Sequence, residues 1–417
     1  MQNEAIAAQV DLLVKSVPIP KLVKIRQIFK RDQEIPIPDA VHREFARDEI
    51  GSLVKPGMRI AIGVGSRGVR NIAEIAREVV ANVKALGGVP YLVPAMGSHG
   101  GATIAGQLEI LASMGVTEDS VHAPIRVTND TITIGFTPSG VPVYMDTIAA
   151  EADGIILINR IKPHTAFSGE YESGLMKMAV VGLGKQPGAR AFHSDGLEHM
   201  ALNLKEMGAV MLSNERLLCG FAILENAYDE TARIVGLTRA QIAIEEPGLL
   251  RLAKQSMARL LFNKIDVLVV ERIGKDISGD SMDPNITGRF YSPYVENAGD
   301  PDIQRIVAYD ITDASHGNCI GVGIADFITK KLFDKIDLSQ IYINALTNCV
   351  LAPAKLPLIM ANEEQALKSA IATCVHIDQQ NPRVVVIRDT LSLEYIQISE
   401  ALVEEARTHP GIEILEV

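Results

Sequence analysis

The chain has 417 residues, 47% of them hydrophobic and 22% charged, with 33 glycines and 20 prolines; this composition excludes disorder, collagen and coiled coil and predicts two or three globular domains. Acidic residues outnumber basic ones by 51 to 40, a formal net charge of −11, and without a Lys/Arg-rich run this argues against nucleic acid as a partner. The apolar runs are far shorter than the roughly 20 residues that cross a bilayer, and the N-terminus lacks the basic-then-apolar order of a signal peptide, so a cytoplasmic protein that does not enter membranes is expected.

Taken in chain order, short β-rich apolar runs alternate with amphipathic helices, the pattern of an α/β protein. A strand at 58–64 leads through Gly65-Ser66-Arg67-Gly68 into a helix whose Ile72, Ile75, Ala76, Val79, Val80, Val83 and Leu86 form one stripe. Gly87-Gly88 ends it, 89–93 is the next strand, and Thr103 caps a helix running to about Met114. A hairpin at 131–136 and 141–145 precedes a buried strand at 154–159, and Asp195 with Glu198 predicts a capping box for a helix to about Met207. A strand at 217–224 and a helix at 246–262 complete the first domain. Further on, strands are expected at 265–271, 306–309, 341–345, 384–387 and 412–415, and helices at 321–333, 363–374 and 392–407. The expected architecture is two α/β domains with mainly parallel sheets, 1–258 and 259–417, with the active site in the cleft between them. Cys219, Cys319, Cys349 and Cys374 show no CxxC or zinc spacing and read as reduced, mostly buried thiols.

Ligands of open α/β sheets bind beyond the carboxyl ends of the strands, which directs attention to three loops. Gly63-Val64-Gly65-Ser66-Arg67-Gly68 matches GxGxxG, yet the next strand ends Val93-Pro94-Ala95-Met96 without the acidic residue that holds a ribose. Its Arg67 is either a carboxylate or phosphate fork near a helix N-terminus or a solvated turn residue. In the second loop, Gly97-Ser98-His99-Gly100-Gly101, the glycines allow backbone to approach a ligand closely, and His99 is either catalytic or structural. The third loop is dense in titratable groups: Lys162, His164, Lys177 and His193. Pro163 directs His164, and Lys177, among apolar Leu175, Met176 and Met178, is either a desolvated, nucleophilic amine or an ordinary surface lysine on a short helix. Two histidines facing a substrate from opposite sides suit proton exchange on either enantiomer.

At these residues the sequence resembles the nickel-pincer lactate racemase superfamily, over most of the first domain and more loosely beyond. The resemblance implies that Arg67, with Ser66 and Lys162, binds the substrate carboxylate and that His99 and His164 are the catalytic acid and base pair. It also implies that Lys177 carries the nickel-pincer nucleotide covalently, that His193, sixteen residues later, ligates nickel, and that Ser98, Gly100, Gly101 and Lys275 contact the cofactor. Two departures accompany it: Val64 and Gly65 stand where the lactate enzymes have an acidic residue, and the interval from His164 to Lys177 is longer. The implied activity is racemisation or epimerisation at C2 of a 2-hydroxy acid by proton-coupled hydride transfer, on lactate or a malate-like, longer aliphatic, aromatic or sugar-derived acid. The cofactor would come from dedicated biosynthesis enzymes, and a homo-oligomer stays open. The competing readings are an NAD(P)-dependent dehydrogenase and a non-enzymatic carrier of nickel or its pincer cofactor. The polar loop 274–285 is a substrate-setting or cofactor loop, a solvated loop, or a calcium loop, although it lacks EF-hand spacing.

Overall fold

The computed structural model describes residues 2–32, 34–66, 68–292, 294–295, 299–348 and 350–415. The strands are, in order, β1 (Leu22–Gln27), β2 (Arg59–Val64), β3 (Val89–Pro94), β4 (Thr131–Phe136), β5 (Pro142–Asp146), β6 (Gly154–Arg160), β7 (Leu217–Glu225), β8 (Thr231–Thr238), β9 (Lys264–Ile273), β10 (Asp302–Ile311), β11 (Phe327–Thr329), β12 (Leu358–Met360), β13 (Val384–Ile387), β14 (Tyr395–Ser399) and β15 (Ile412–Ile414). They form two compact units, Lys30–Met257 and Met1–Phe29 with Ala258–Val417. The continuous 1–258 domain expected from sequence therefore needs correcting at its start. β1 pairs antiparallel with β14 and β15, so backbone hydrogen bonds tie the first residues into the sheet of the C-terminal unit.

The unit Lys30–Met257 is built on a five-stranded sheet of order β3-β2-β6-β7-β8, parallel except for β8. Alternate residues leave its strands in opposite directions, as a pleated strand requires. Ile60, Ile62, Val64, Ile156 and Ile158 pack with the stripe of the helix Ile72–Ala85 on one face. Ala61, Ile155 and Leu157 meet Leu175, Met176, Met178, Val180 and Leu183 on the other. β3 and β6 flank β2 on opposite sides, so the chain reverses its winding direction there. The loops leaving β2, β3 and β6 thus share the carboxyl edge around a switch point, where open α/β sheets bind ligands. Thr103 accepts from the Gly106 N–H as the expected cap.

The other unit carries an eight-stranded sheet, β12-β11-β10-β9-β13-β14-β1-β15, parallel from β12 to β13. The α/β class with mainly parallel sheets holds for both units. Several local expectations do not. Residues 341–345 are helical, within Leu338–Asn348, because Ile341 and Ala345, four apart, share the buried face; a short apolar run has no period that separates helix from strand. Residues 321–333 contain β11 before a one-turn helix capped by Thr329, and 392–407 contain β14 before the helix Val403–Thr408. The helix expected at 246–262 is Arg239–Ser256, started by a reciprocal Thr238/Gln241 capping box. The Asp195/Glu198 box is not formed: Gly196 takes φ +82°, a 3₁₀ turn follows, and the next helix is Met200–Ser213. Cys219, Cys319 and Cys374 are buried free thiols, each pushed up to about 12 chiefly by burial, and Cys349 lies outside the described residues. No helix among the described residues is long and apolar enough to cross a membrane.

Candidate active site

Three elements at the carboxyl edge of the five-stranded sheet bring most of the singled-out residues into two groups. The first group spans the loops after β2 and β3. Ser66 Oγ hydrogen-bonds His99 Nδ1. A hydroxyl can turn to donate or accept, so it can hold either the neutral ring or the imidazolium at this nitrogen. Gly97, Gly100 and Gly101 take φ of +59°, +67° and +63°, the left-handed conformations that their missing side chains make accessible. Ser98 is half-buried at the start of this turn, its carbonyl accepting from the Ala102 N–H at 3.2 Å. Arg67 lies outside the described residues. Gly63 is inside β2, paired with Val93 and Leu157, so the GxGxxG match is not the tight turn of a dinucleotide loop.

The second group lies on the loop after β6 and the helices that follow. Lys162 and Ser173 exchange backbone hydrogen bonds of 2.9 and 3.2 Å and close the loop at its neck. Inside it, His164 Nδ1 accepts from the Ala166 N–H at 3.1 Å, and its Nε2 hydrogen-bonds Lys177 Nζ. With Nδ1 accepting, the neutral ring carries its proton on Nε2, the nitrogen on the lysine side. Lys177 ends the short turn Leu175–Lys177, which runs on through a π-turn, Met178–Gly182, into the helix Lys185–His193. His164 stacks at 4.5 Å on Phe167, Phe167 meets Phe192 edge-on at 6.2 Å, and Phe192 meets His193 edge-on at 5.0 Å. This aromatic row sets both imidazoles. His193 Nδ1 bonds Ala189 O at 2.6 Å, which leaves the Nε2 lone pair available to a metal. Burial holds the His193 pKa below its ordinary value; the Lys177 charge adds to that and the Ala189 bond opposes it. Neutral imidazole is the form that ligates.

Residues that the sequence did not point out hold this group in place, and many lie on one helix, Arg239–Ser256. Pro247 has no N–H to offer Ala243 O, and that freed carbonyl accepts from the Tyr171 hydroxyl at 2.7 Å. Buried Glu172 accepts from the His164 N–H at 2.7 Å, the Gly169 N–H at 3.2 Å and Lys254 Nζ at 2.7 Å. Glu246, 1% exposed, accepts from the Met176 N–H at 3.0 Å and caps the turn that bears Lys177. Gly174 supplies no cap of its own, and a Cβ there would overlap Glu246 Oε1. In the sequence Glu246 is one of two adjacent acids in a helix that also carries Arg251 and Lys254, so nothing local sets it apart.

Burial pushes the Glu246 carboxyl up to about 8, against two backbone hydrogen bonds that act the other way. Its Oε1 is buried without a hydrogen-bond partner, which a neutral carboxyl tolerates better than a carboxylate. The folded value exceeds the unfolded one, so this contribution to stability is complete below about pH 4.5 and is lost as pH rises through about 8. Glu246→Gln keeps an acceptor for the cap and removes the titration. In urea titrations, wild type should lose on the order of a few kcal/mol more than the variant between about pH 5 and 9. Parallel pH curves for the two proteins would show that Glu246 does not titrate there.

Lys275 belongs to the other unit, where its Nζ donates to Gly279 O at 2.5 Å and its backbone N–H to Ser315 Oγ at 2.8 Å. In the same loop, Asp276 Oδ1 accepts from Thr312 Oγ1 and Ser315 Oγ, so this carboxylate is engaged within the fold. Among the described residues, no three His, Cys, Asp or Glu side chains gather as a metal site.

Residues 9–203 match the family model of the lactate racemase N-terminal domain. Among solved structures, the lactate racemase apoprotein from Thermoanaerobacterium thermosaccharolyticum is similar, with a TM-score of 0.53 at 14% identity, covering 89% of this chain and 99% of that one. At that identity the likeness speaks for the fold. No curated protein matches the chain.

Proposed function

The chain belongs, through residues 9–203, to the lactate racemase superfamily, and from that premise we propose that it is an isomerase: a racemase or epimerase inverting C2 of a 2-hydroxy acid, with a nickel-pincer nucleotide joined to Lys177. The observation that carries this reading is the Lys177–His164 contact, set on one helical run with a His193 whose Nδ1 is tied to Ala189 O. The residues fit the group. Lys177 sets its Nζ against His164 Nε2 on the turn that opens the run to His193, where an amine can be acylated. His193 offers nickel one imidazole nitrogen, a donor that ion accepts readily, and a cofactor bringing its own sulfur donors needs no second protein ligand.

When bound, the group supplies reversible hydride acceptance, so that the α-hydrogen need not leave as a proton from a carbon beside a carboxylate. The chain supplies proton handling and placement. His99 is suited to take the substrate hydroxyl proton at Nε2, because Ser66 Oγ can accept the Nδ1–H of the resulting imidazolium. His164 presents a proton at Nε2 in its neutral tautomer and is suited to return one from the other side. Arg67, Ser66 and Lys162 are the proposed carboxylate contacts, and Ser98, Gly100 and Gly101 the proposed nucleotide contacts. Cofactor biosynthesis enzymes are the proposed partners.

The test is co-expression with those enzymes, followed by chiral chromatography of single enantiomers of lactate, malate and longer or aromatic 2-hydroxy acids. Conversion of one pure enantiomer towards an equal mixture, without added NAD(P), is the expected result. Nickel and nucleotide bound with no enantiomer interconverted would favour a carrier, and turnover that requires NAD(P) would favour a dehydrogenase.

A further inference from the structure

Lys185 is 2% exposed and takes φ +51°, a left-handed conformation that side chains adopt at a cost. It follows the π-turn Met178–Gly182 and opens the helix that ends at His193. Its ammonium reaches away from that helix to three other elements. Nζ donates to Pro94 O, the last residue of β3, at 2.5 Å, and to Gln107 Oε1, on the helix after the His99 loop, at 2.9 Å. It pairs with Asp146 Oδ2, at the end of β5, at 3.0 Å. Gln107, itself fully buried, is held in turn by Asn129 Oδ1 at 2.7 Å and Thr103 O at 3.2 Å.

Pro94 is where the chain enters the His99 loop and Gln107 lies just after it leaves. Both ends of the loop therefore rest on one ammonium that belongs to the Lys177–His193 segment. The backbones also touch directly: the Gly97 N–H donates to Gly182 O at 3.2 Å, and a Cβ on Gly182 would press on Ala95 O at 2.7 Å. Burial lowers the Lys185 pKa and raises that of Asp146, the expected signs for an ion pair taken out of water. A buried pair in a strained backbone is a costly way to gain stability, since apolar packing usually does as well.

We infer that Lys185 is a positioning residue that sets the His99 loop in register with the segment carrying Lys177 and His193. Its effect on turnover rests on the function proposed above, whereas its effect on the loop does not. Without the tie, the fold and the attachment at Lys177 persist while His99 loses its place relative to the reacting atoms. A displacement of about 1 Å is enough to lower a rate roughly 10²-fold.

The test compares wild type with Lys185→Met and with Lys185→Met/Asp146→Asn, whose second change removes the carboxylate that the first leaves buried and alone. Hydrogen exchange on the full-length, cofactor-free protein is expected to quicken about tenfold across residues 95–107 in the double variant, with β2 unchanged and the melting temperature restored. Once loaded, the double variant should show kcat down about 10²-fold, with KM and the Lys177 mass increase retained. Unchanged exchange at 95–107, or a kcat that recovers along with the melting temperature, would overturn the inference. A wild type without turnover would sink the proposed function instead, and exchange would still decide this one. Should the double variant not fold, Gln107→Met, which removes one acceptor and spares the ion pair, carries the same exchange test.

Discussion

Lys177→Ala is expected to abolish the mass increase that co-expression with the cofactor-making enzymes gives wild type, to bring nickel down to background, and to lower turnover by about 10⁴-fold or more. The reason is local. Lys177 is half-buried beside His164, on a turn whose N-terminus is capped by Glu246, so its amine is both placed and kept out of bulk water. Lys185, eight residues on, cannot substitute, because its ammonium is already engaged by Pro94 O, Gln107 and Asp146. The His193 imidazole would remain, and a single nitrogen donor does not hold nickel alone. Intact-protein mass spectrometry and metal analysis of the paired samples decide the matter. A full mass increase in the variant would move the attachment elsewhere and end the covalent assignment.

His99→Ala should lower kcat by roughly 10²–10⁴-fold, the usual range for a removed general acid or base, while nickel content and the Lys177 mass increase stay at wild-type levels. His99 is exposed and its described partner is Ser66, so its loss removes little packing and the fold should be indifferent. Both reaction directions should slow, because an inversion needs a proton taken on one side and returned on the other. The discriminating measurement is the loading of the same sample that is assayed. Loss of cofactor with the fold intact would make His99 a cofactor-binding residue, and unchanged turnover would remove it from the chemistry.

The two groups differed in how far the sequence revealed them. His99, His164, Lys177 and His193 stood out because polar, titratable residues in glycine-rich loops after apolar strands are visible one at a time. Strands and helices with a clear period were equally visible, from β2 through β7 with its flanking helices, since alternation and 3.6-residue stripes are properties of consecutive residues. The short segments of the C-terminal unit were not. Their strands, such as β11 and β14, are three to five residues long, and their burial comes from partners far away in the chain.

The supports of the site were hidden for the same reason. Glu172 reads as one acid among many until Lys254 and the His164 N–H converge on it. Glu246 and Lys185 read locally as ordinary charged residues beside polar neighbours, and their meaning lies in contacts 70 and 91 residues away in sequence. The 417 residues thus declared, through composition, period and loop chemistry, an α/β protein with a lysine and histidines at the carboxyl ends of its strands. Which histidine faces the lysine, which nitrogen of His193 stays available, and which buried charges hold the loops together depended on packing. Burial turns a weak aqueous preference into a strong one, and burial exists only once distant segments meet.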